Sequence, residues 1–353
     1  MSFAEIILQI CICFGASLIL SWVFVLTRHY HSSITADNSN GPQKIHLGDV
    51  PRVGGLAIFI SVVIGSLYLA IDGFNLLLIL ICAATPAFLS GIIEDITKSI
   101  SPVVRLLASL ISGILFIALT GVSLQKTSVP FIDAILQIEA IAVFVTIMAI
   151  ATMVNATNIT DGLNGLSLGT SLMIVTIIAL IALGQNDTDI LVACLIMVSA
   201  IAGLFIVNFP FGRIFLGDGG AYLLGALIAM MTILLATRNA GISPFTCLLI
   251  ILYPLVELMR SMIRRMMSST SKGVLQPDHE HLHSLMYRYM KKVNKLPLNN
   301  NAMAACLTLL MPFSTSVAAY FFYNQPVILI ISCIAFVLAY ETTLRTLRRK
   351  LAQ

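Results

Sequence analysis

Long apolar runs separated by short polar segments recur along almost the whole 353-residue chain. A helix rising about 1.5 Å per residue crosses a hydrocarbon layer of roughly 30 Å with about 20 residues. By that measure the pattern predicts helices near 3–26, 53–72, 75–93, 102–121, 134–154, 165–184, 190–208, 220–237, 244–265, 301–322 and 325–344. The expected fold class is therefore all-α, a polytopic integral membrane helical bundle of about eleven transmembrane helices. Residues 1–353 read as a single membrane domain, with any site built from connections near 27–52, 94–102, 155–165, 208–220 and 266–300. No internal repeat or low-complexity tract interrupts the pattern.

Charge gives the bundle a direction. With the N-terminus outside, the inward segments hold eighteen of the twenty Lys and Arg residues, leaving only Lys126 and Arg238 outside. That bias is what the positive-inside rule predicts for a cytoplasmic face, so the C-terminus is expected inside. The outward connections QNDTD and YNQ are short, and the inward ones at 27–52 and 266–300 are long. Composition agrees: 58% of residues are hydrophobic and 10% charged, against roughly 25% charged in soluble domains. The seven cysteines all fall inside apolar segments without a CxxC pair, so they read as small buried residues. No basic residue precedes the first apolar run, which is long enough to span and is expected to be a retained helix, not a cleaved signal.

Unusual polar residues gather on the inward side. Glu94 and Asp95 end the third helix, where adjacent carboxylates suit a divalent cation or a solvated helix end. NATNITDGLNGLS, residues 155–167, concentrates amides without any Lys or Arg. It reads as ligand-binding groups or as helix caps. Asp218 sits among Gly217, Gly219 and Gly220, which suit close backbone approach to a ligand or a plain turn. His279, His281 and His283 alternate beside Asp278 and Glu280; without cysteine partners HxH is a weak zinc signal, and phosphate is the other candidate. From Leu282 onward an apolar stripe through Leu285, Met286, Tyr289 and Val293 predicts an amphipathic helix lying on the membrane. Pro254 should bend the ninth span, and Glu257, Arg260 and Arg264 follow it at helical spacing, facing a cavity or each other. Lys44, His46 and Arg52 read singly as positive-inside anchors. Taken together, five connections gathering acids, amides, histidines and glycines on one face point to a shared site for a phosphate-bearing ligand and a divalent metal.

At these connections the sequence resembles the polyprenyl-phosphate N-acetylhexosamine-1-phosphate transferases, the glycosyltransferase family 4 group that includes MraY and WecA. The matching pieces are KIHLGDVPRVGG, GIIEDI followed by PVVRL, NATNITDGLNGL, FLGDGGAYLLG and PDHEHLHSL, in order over about residues 1–344. Eleven spans favour the WecA branch over the ten-span MraY branch. The resemblance implies transfer of HexNAc-1-phosphate, with GlcNAc-1-phosphate the leading candidate, from a UDP-N-acetylhexosamine to polyprenyl (undecaprenyl) phosphate. UMP is released, and the cofactor is Mg2+, with Mn2+ the alternative. It implies the first membrane step of cell-envelope polysaccharide (O-antigen or lipopolysaccharide) synthesis, in the bacterial cytoplasmic (inner) membrane with the site facing the cytoplasm. Nucleic acid is not an expected partner, and a homodimer is left open.

By motif position, Asp218 and Asp95 would be metal ligands, and Glu94, Asp95 and Asp218 the catalytic group. Lys44, His46, Asn155, Asn158, Asp161, Asn164, Arg213, Arg264, His281 and His283 would bind substrate. Glu94 stands where an Asp is usual, Ser284 where another His is common, and Glu257 where an Asp is common. The rival class is a multispanning transporter of an anionic solute. It predicts intramembrane charges reaching both faces, whereas the outward loops hold only scattered acids such as Asp72, Asp187 and Asp189.

Overall fold

The structure is a computed structural model that describes residues 3–30, 36–37, 50–69, 75–267, 280–293 and 299–353. Lys44, His46 and His279 lie outside the described residues. Helices α1 (Phe3–Leu26), α2 (Gly54–Leu69), α3 (Leu76–Thr97), α4 (Pro102–Thr120), α5 (Pro130–Leu136), α6 (Glu139–Thr160) and α7 (Leu166–Gly184) make up the first half. Helices α8 (Thr188–Asn208), α9 (Gly217–Arg238), α10 (Pro244–Ile250), α11 (Leu252–Met267), α12 (Leu282–Val293), α13 (Asn300–Phe322) and α14 (Pro326–Ala352) complete it. A two-residue antiparallel pairing joins Ala36–Asp37 to Val50–Pro51.

Among the described residues nine helices are long and apolar enough to cross a membrane, and α10 with α11 makes a tenth if the bent pair is one span. The chain is a polytopic helical bundle. Two of the eleven expected spans differ from simple rods. The second is the 16-residue α2, about 24 Å long at about 1.5 Å per residue, shorter than the layer. The ninth breaks between α10 and α11 with a bend of 69°. Pro254 lacks the N–H that would bond to the carbonyl of Ile250, and its ring crowds that carbonyl, so the break falls one turn before it.

Local chemistry sets many ends. The Asn75 side chain accepts from the N–H groups of Leu77 and Leu78 to start α3. Ser101 caps α4 and Ser243 caps α10, each followed by Pro at the first helical position, where a missing N–H costs nothing. Asp187 caps α8 through the Ile190 N–H.

Helix α9 is the axis: 94% of its spanning stretch is buried, against 22% for α1. It lies among α2, α3 and α6, and glycines let the backbones touch. A methyl group added at Gly55 would sit 2.2 Å from the Gly220 nitrogen, one at Gly91 2.5 Å from the Gly219 nitrogen, and one at Gly225 2.7 Å from the Val154 Cα. Each obstacle is backbone, so rotamer changes cannot relieve it. Gly55→Ala is therefore expected to destabilise the protein by about 3 kcal/mol or more, the upper end of overpacking costs. Thermal unfolding in detergent would show it as a lowered midpoint; an unchanged midpoint would contradict this packing.

Most of the apolar stripe of α12 is covered by protein, with Val293 at its end 55% exposed. Leu282 and Leu285 are buried in the main core, and Met286 packs against the small cluster of Leu163, Leu166, Ala304 and Ala305. Tyr289 lies under the Lys350 ammonium, 5.3 Å from ring centroid to nitrogen. From Leu282 to Tyr289 the stripe is the seam joining α12 to α13 and α14.

Candidate functional site

Backbone pairing before α2 and before α9 places the central groups. The Phe215 N–H donates to the Pro51 carbonyl at 2.9 Å, Gly54 N–H to Phe215 at 2.9 Å, and Gly55 N–H to Leu216 at 2.8 Å. The two strands of chain thus run side by side, putting Arg52 beside the start of α9. Gly217 makes the turn with φ of 76°, where a side chain would press on the Arg52 carbonyl and the Asp95 carboxylate.

Asp218 follows in the first turn of α9. Its Oδ1 accepts from Arg52 Nη2 at 3.0 Å, and its Oδ2 from Arg105 Nη1 at 2.9 Å. Asp95, 3% exposed, has a different occupation: Oδ1 accepts from the Asp218 N–H at 3.0 Å and Oδ2 from the Gly219 N–H at 2.9 Å. The carboxylate thereby caps the positive end of α9, with Arg52 Nε at 3.4 Å. Glu94 turns elsewhere, accepting from the Ile100 N–H at 2.8 Å and lying 4.0 Å from Arg105 Nη1. Neighbouring residues on a helix diverge by about 100°. The expected carboxylate pair is thus two separate groups, one holding a helix end and one holding the turn into α4.

Asp161 ends α6, its N–H bonded to the Asn158 carbonyl at 3.2 Å. Burial pushes its carboxyl up to about 7; the nearby Arg52 charge opposes that shift and the Asp218 charge adds to it. Asp161 therefore feels the same pair of charges that defines the site. Its ordinary value is about 3.9, so the proton is held more tightly in the folded state. Stability from that proton is fully present below about pH 4 and lost as pH rises through about 7. The difference in melting temperature between pH 5 and pH 8 is expected to shrink in Asp161→Asn, measured without ligand; an unchanged difference would contradict this placement.

The remaining amides divide. Asn155 donates to the Ala151 carbonyl of its own helix at 2.8 Å. Asn158 is partly buried one turn before Asp161. Asn164 is 5% exposed, its side-chain amide donating to the Pro210 carbonyl at 3.1 Å and its N–H to Asn301 Oδ1 at 2.8 Å. With Asn208, which accepts from Gly165 N–H and donates to Ile214, it braces the loop holding the cis Phe209–Pro210 bond. Its contacts are those of a scaffold. Arg213 is exposed and stacks over Trp22 and Phe211 at 5.2 and 5.3 Å. Arg264 Nη1 donates to the Glu280 carbonyl at 3.1 Å.

His281 and His283 are both buried, their rings stacked 5.3 Å apart. A methyl group at Gly162 would lie 2.2 Å from His283 Nε2, so His283 rests on the residue after Asp161. The histidine motif and the amide-rich loop are thereby one structure. Sequence reasoning gave no site role to Arg52 and Arg105, which hold Asp218, because a single basic residue near a helix end looks like any membrane anchor. Asn208 and Asn301 were also missed; only their amides at helix ends could have signalled them.

A Mg2+ ion commonly takes one or two carboxylates and fills its remaining positions with phosphate oxygens and water. Asp218, its side chain 14% exposed, fits that pattern. Asp95 fits it less well, because it is 3% exposed and its oxygens serve the backbone N–H groups that start α9. Among the described residues no group of three or more His, Cys, Asp or Glu could form a closed cage. The donor set suits an ion shared with a ligand's phosphates.

Residues 76–236, which run from α3 through α9, match the family model described as Glycosyl transferase family 4. The chain is 29% identical over 281 residues to a Bacillus subtilis (strain 168) protein named "Probable undecaprenyl-phosphate N-acetylglucosaminyl 1-phosphate transferase", covering 79% of this chain and 77% of the relative. It is 29% identical over 252 residues to the Yersinia pestis undecaprenyl-phosphate alpha-N-acetylglucosaminyl 1-phosphate transferase, covering 70% and 68%. To the protein of that name in Escherichia coli (strain K12) it is 28% identical over 264 residues, covering 70% and 67%.

Proposed function

We propose, on the premise that the chain belongs to glycosyl transferase family 4, that it transfers GlcNAc-1-phosphate from UDP-GlcNAc to undecaprenyl phosphate. The observation that carries this reading is Asp218 held between two guanidiniums at the start of α9. A site with two partly exposed guanidinium forks around a carboxylate suits a diphosphate, which would take the guanidiniums for its own oxygens. A transporter of anions has no comparable support among the relatives.

In the reaction an oxygen of the lipid phosphate forms a bond to the β-phosphorus of UDP-GlcNAc, and the bond from that phosphorus to the bridging oxygen breaks. UMP carries away the electron pair. The second pKa of a phosphate monoester is near 6, so the lipid is largely dianionic at neutral pH and a strong base is dispensable. The larger task is to bring two anions together in line. Arg52 and Arg105 bind the phosphates, and Asp95 keeps the start of α9 fixed beneath them. Asp218, with Asp161 nearby, would hold a Mg2+ ion, which would supply charge neutralisation to the phosphates when bound. The site faces the cytoplasm, where UDP-sugars are made, in a bacterial inner membrane.

The test is UMP release by purified protein in lipid nanodiscs. Release is expected only with UDP-GlcNAc, undecaprenyl phosphate and Mg2+ together. No release with any of a panel of UDP-N-acetylhexosamines, or flux of an anionic solute into proteoliposomes without release, would overturn the reading.

A further inference from the structure

Glu257 lies on α11 with no solvent exposure, and its carboxylate reaches across to the start of α12. His281 Nδ1 lies 2.9 Å from Oε2, and the Leu282 N–H donates to Oε1 at 3.2 Å. Tyr253 and Tyr340, both fully buried, lie beside the same carboxylate. One side chain therefore does two things. It caps the N-terminus of α12, as an acid does well at that end of a helix, and it grips the imidazole of the residue just before that helix. A carboxylate facing a ring nitrogen holds a proton on it. Of the two neutral tautomers this contact selects the one with hydrogen on Nδ1.

We infer that Glu257 is a positioning residue: it fixes the tautomer and ring angle of His281, whose stack on His283 shapes the wall beside Asp161. The inference rests on the transferase reading for its effect on turnover, but not for its tautomer. His281 stacks on His283, and His283 rests on Gly162 beside Asp161, so a tilted His281 would disturb the wall next to Asp218. Glu257 lies on α11, which bends 69° from α10, and meets the segment at 281–282.

Glu257→Gln preserves shape and the acceptor for Leu282 N–H, while its amide NH2 now faces His281 Nδ1. The ring must then accept at Nδ1 and carry its hydrogen on Nε2, the opposite tautomer. Expected for this variant is a melting temperature within a few degrees of wild type and a fall in kcat of roughly 10- to 10²-fold, the range seen when the group that orients an imidazole is removed. KM should change far less than kcat. Glu257→Asp should recover part of the loss, because the charge returns one methylene short. In a His281→Gln background, adding Glu257→Gln should cost little more, because Glu257 acts through that ring.

The second readout needs no turnover. With 15N-labelled histidine in nanodiscs, the signal lost in His281→Gln should report hydrogen on Nδ1 in wild type and on Nε2 in Glu257→Gln. Wild-type kcat in Glu257→Gln, additive losses in the double variant, or an Nε2–H ring in wild type would each overturn the inference. If the wild type released no UMP while the tautomer reversed as expected, the transferase reading would fail and the Glu257–His281 pairing would stand.

Discussion

Asp218→Asn is expected to lower UMP release at least about 10²- to 10³-fold, the scale on which a positioned electrostatic group contributes to phosphoryl and acyl transfer. The change removes one negative charge without changing size. In the ligand-free protein Arg52 keeps Asp95 at 3.4 Å, and Arg105 keeps Glu94 at 4.0 Å. Both guanidiniums are partly exposed, at 30% and 21%, so water shares the compensation. The stability cost should therefore fall between the roughly 1 kcal/mol of an exposed pair and the 3–5 kcal/mol of a buried one. Activity should fall far more than stability, and raising Mg2+ should not restore it. Undiminished release at saturating substrate would remove Asp218 from the site.

Asp95→Asn should reverse that balance, costing stability first and activity as a consequence. Both Asp95 oxygens accept backbone N–H groups at a helix end, and 3% of the residue is exposed. In the variant one acceptor becomes an NH2 that confronts an N–H of α9, and the charge facing Arg52 disappears. A buried donor left unpaired costs about 1–3 kcal/mol, and more where a charge is involved. Loss of roughly 3 kcal/mol is expected, visible as a lower melting temperature without any ligand. Release should fall with it, because Asp218 is the residue whose N–H is set free. Glu94→Gln should be milder in both measurements, since Glu94 holds a partly exposed turn. Equal effects of the two variants would contradict these separate roles.

Much of this was legible in the chain. Apolar runs fixed the helices, because in hydrocarbon a spanning segment must satisfy its own backbone and needs a known length to cross. Asp218 stood out through the glycines around it, and those glycines prove to be where backbones meet. Side-chain direction was not legible. Glu94 and Asp95 are adjacent in sequence, but only the packing of α3 against α9 decides that Asp95 turns inward. Asn164 and Asp161 are three residues apart, yet one braces a loop and the other feels the charges of Arg52 and Asp218. The stripe on α12 has the period of any amphipathic helix, and periodicity cannot say whether lipid or protein covers it. Arg52 and Arg105 were hidden for a different reason: their partner lies more than a hundred positions away.

The enclosure of α9 also limits how the protein could be poisoned. A compound dissolved in the bilayer meets the outer helices and finds almost no surface of α9 to follow inward. Its way to Asp218 leads around the rim, past the basic end of the bundle, so a useful inhibitor needs a polar head that tolerates two guanidiniums. Greasiness alone would concentrate such a compound in the membrane without bringing it to its target.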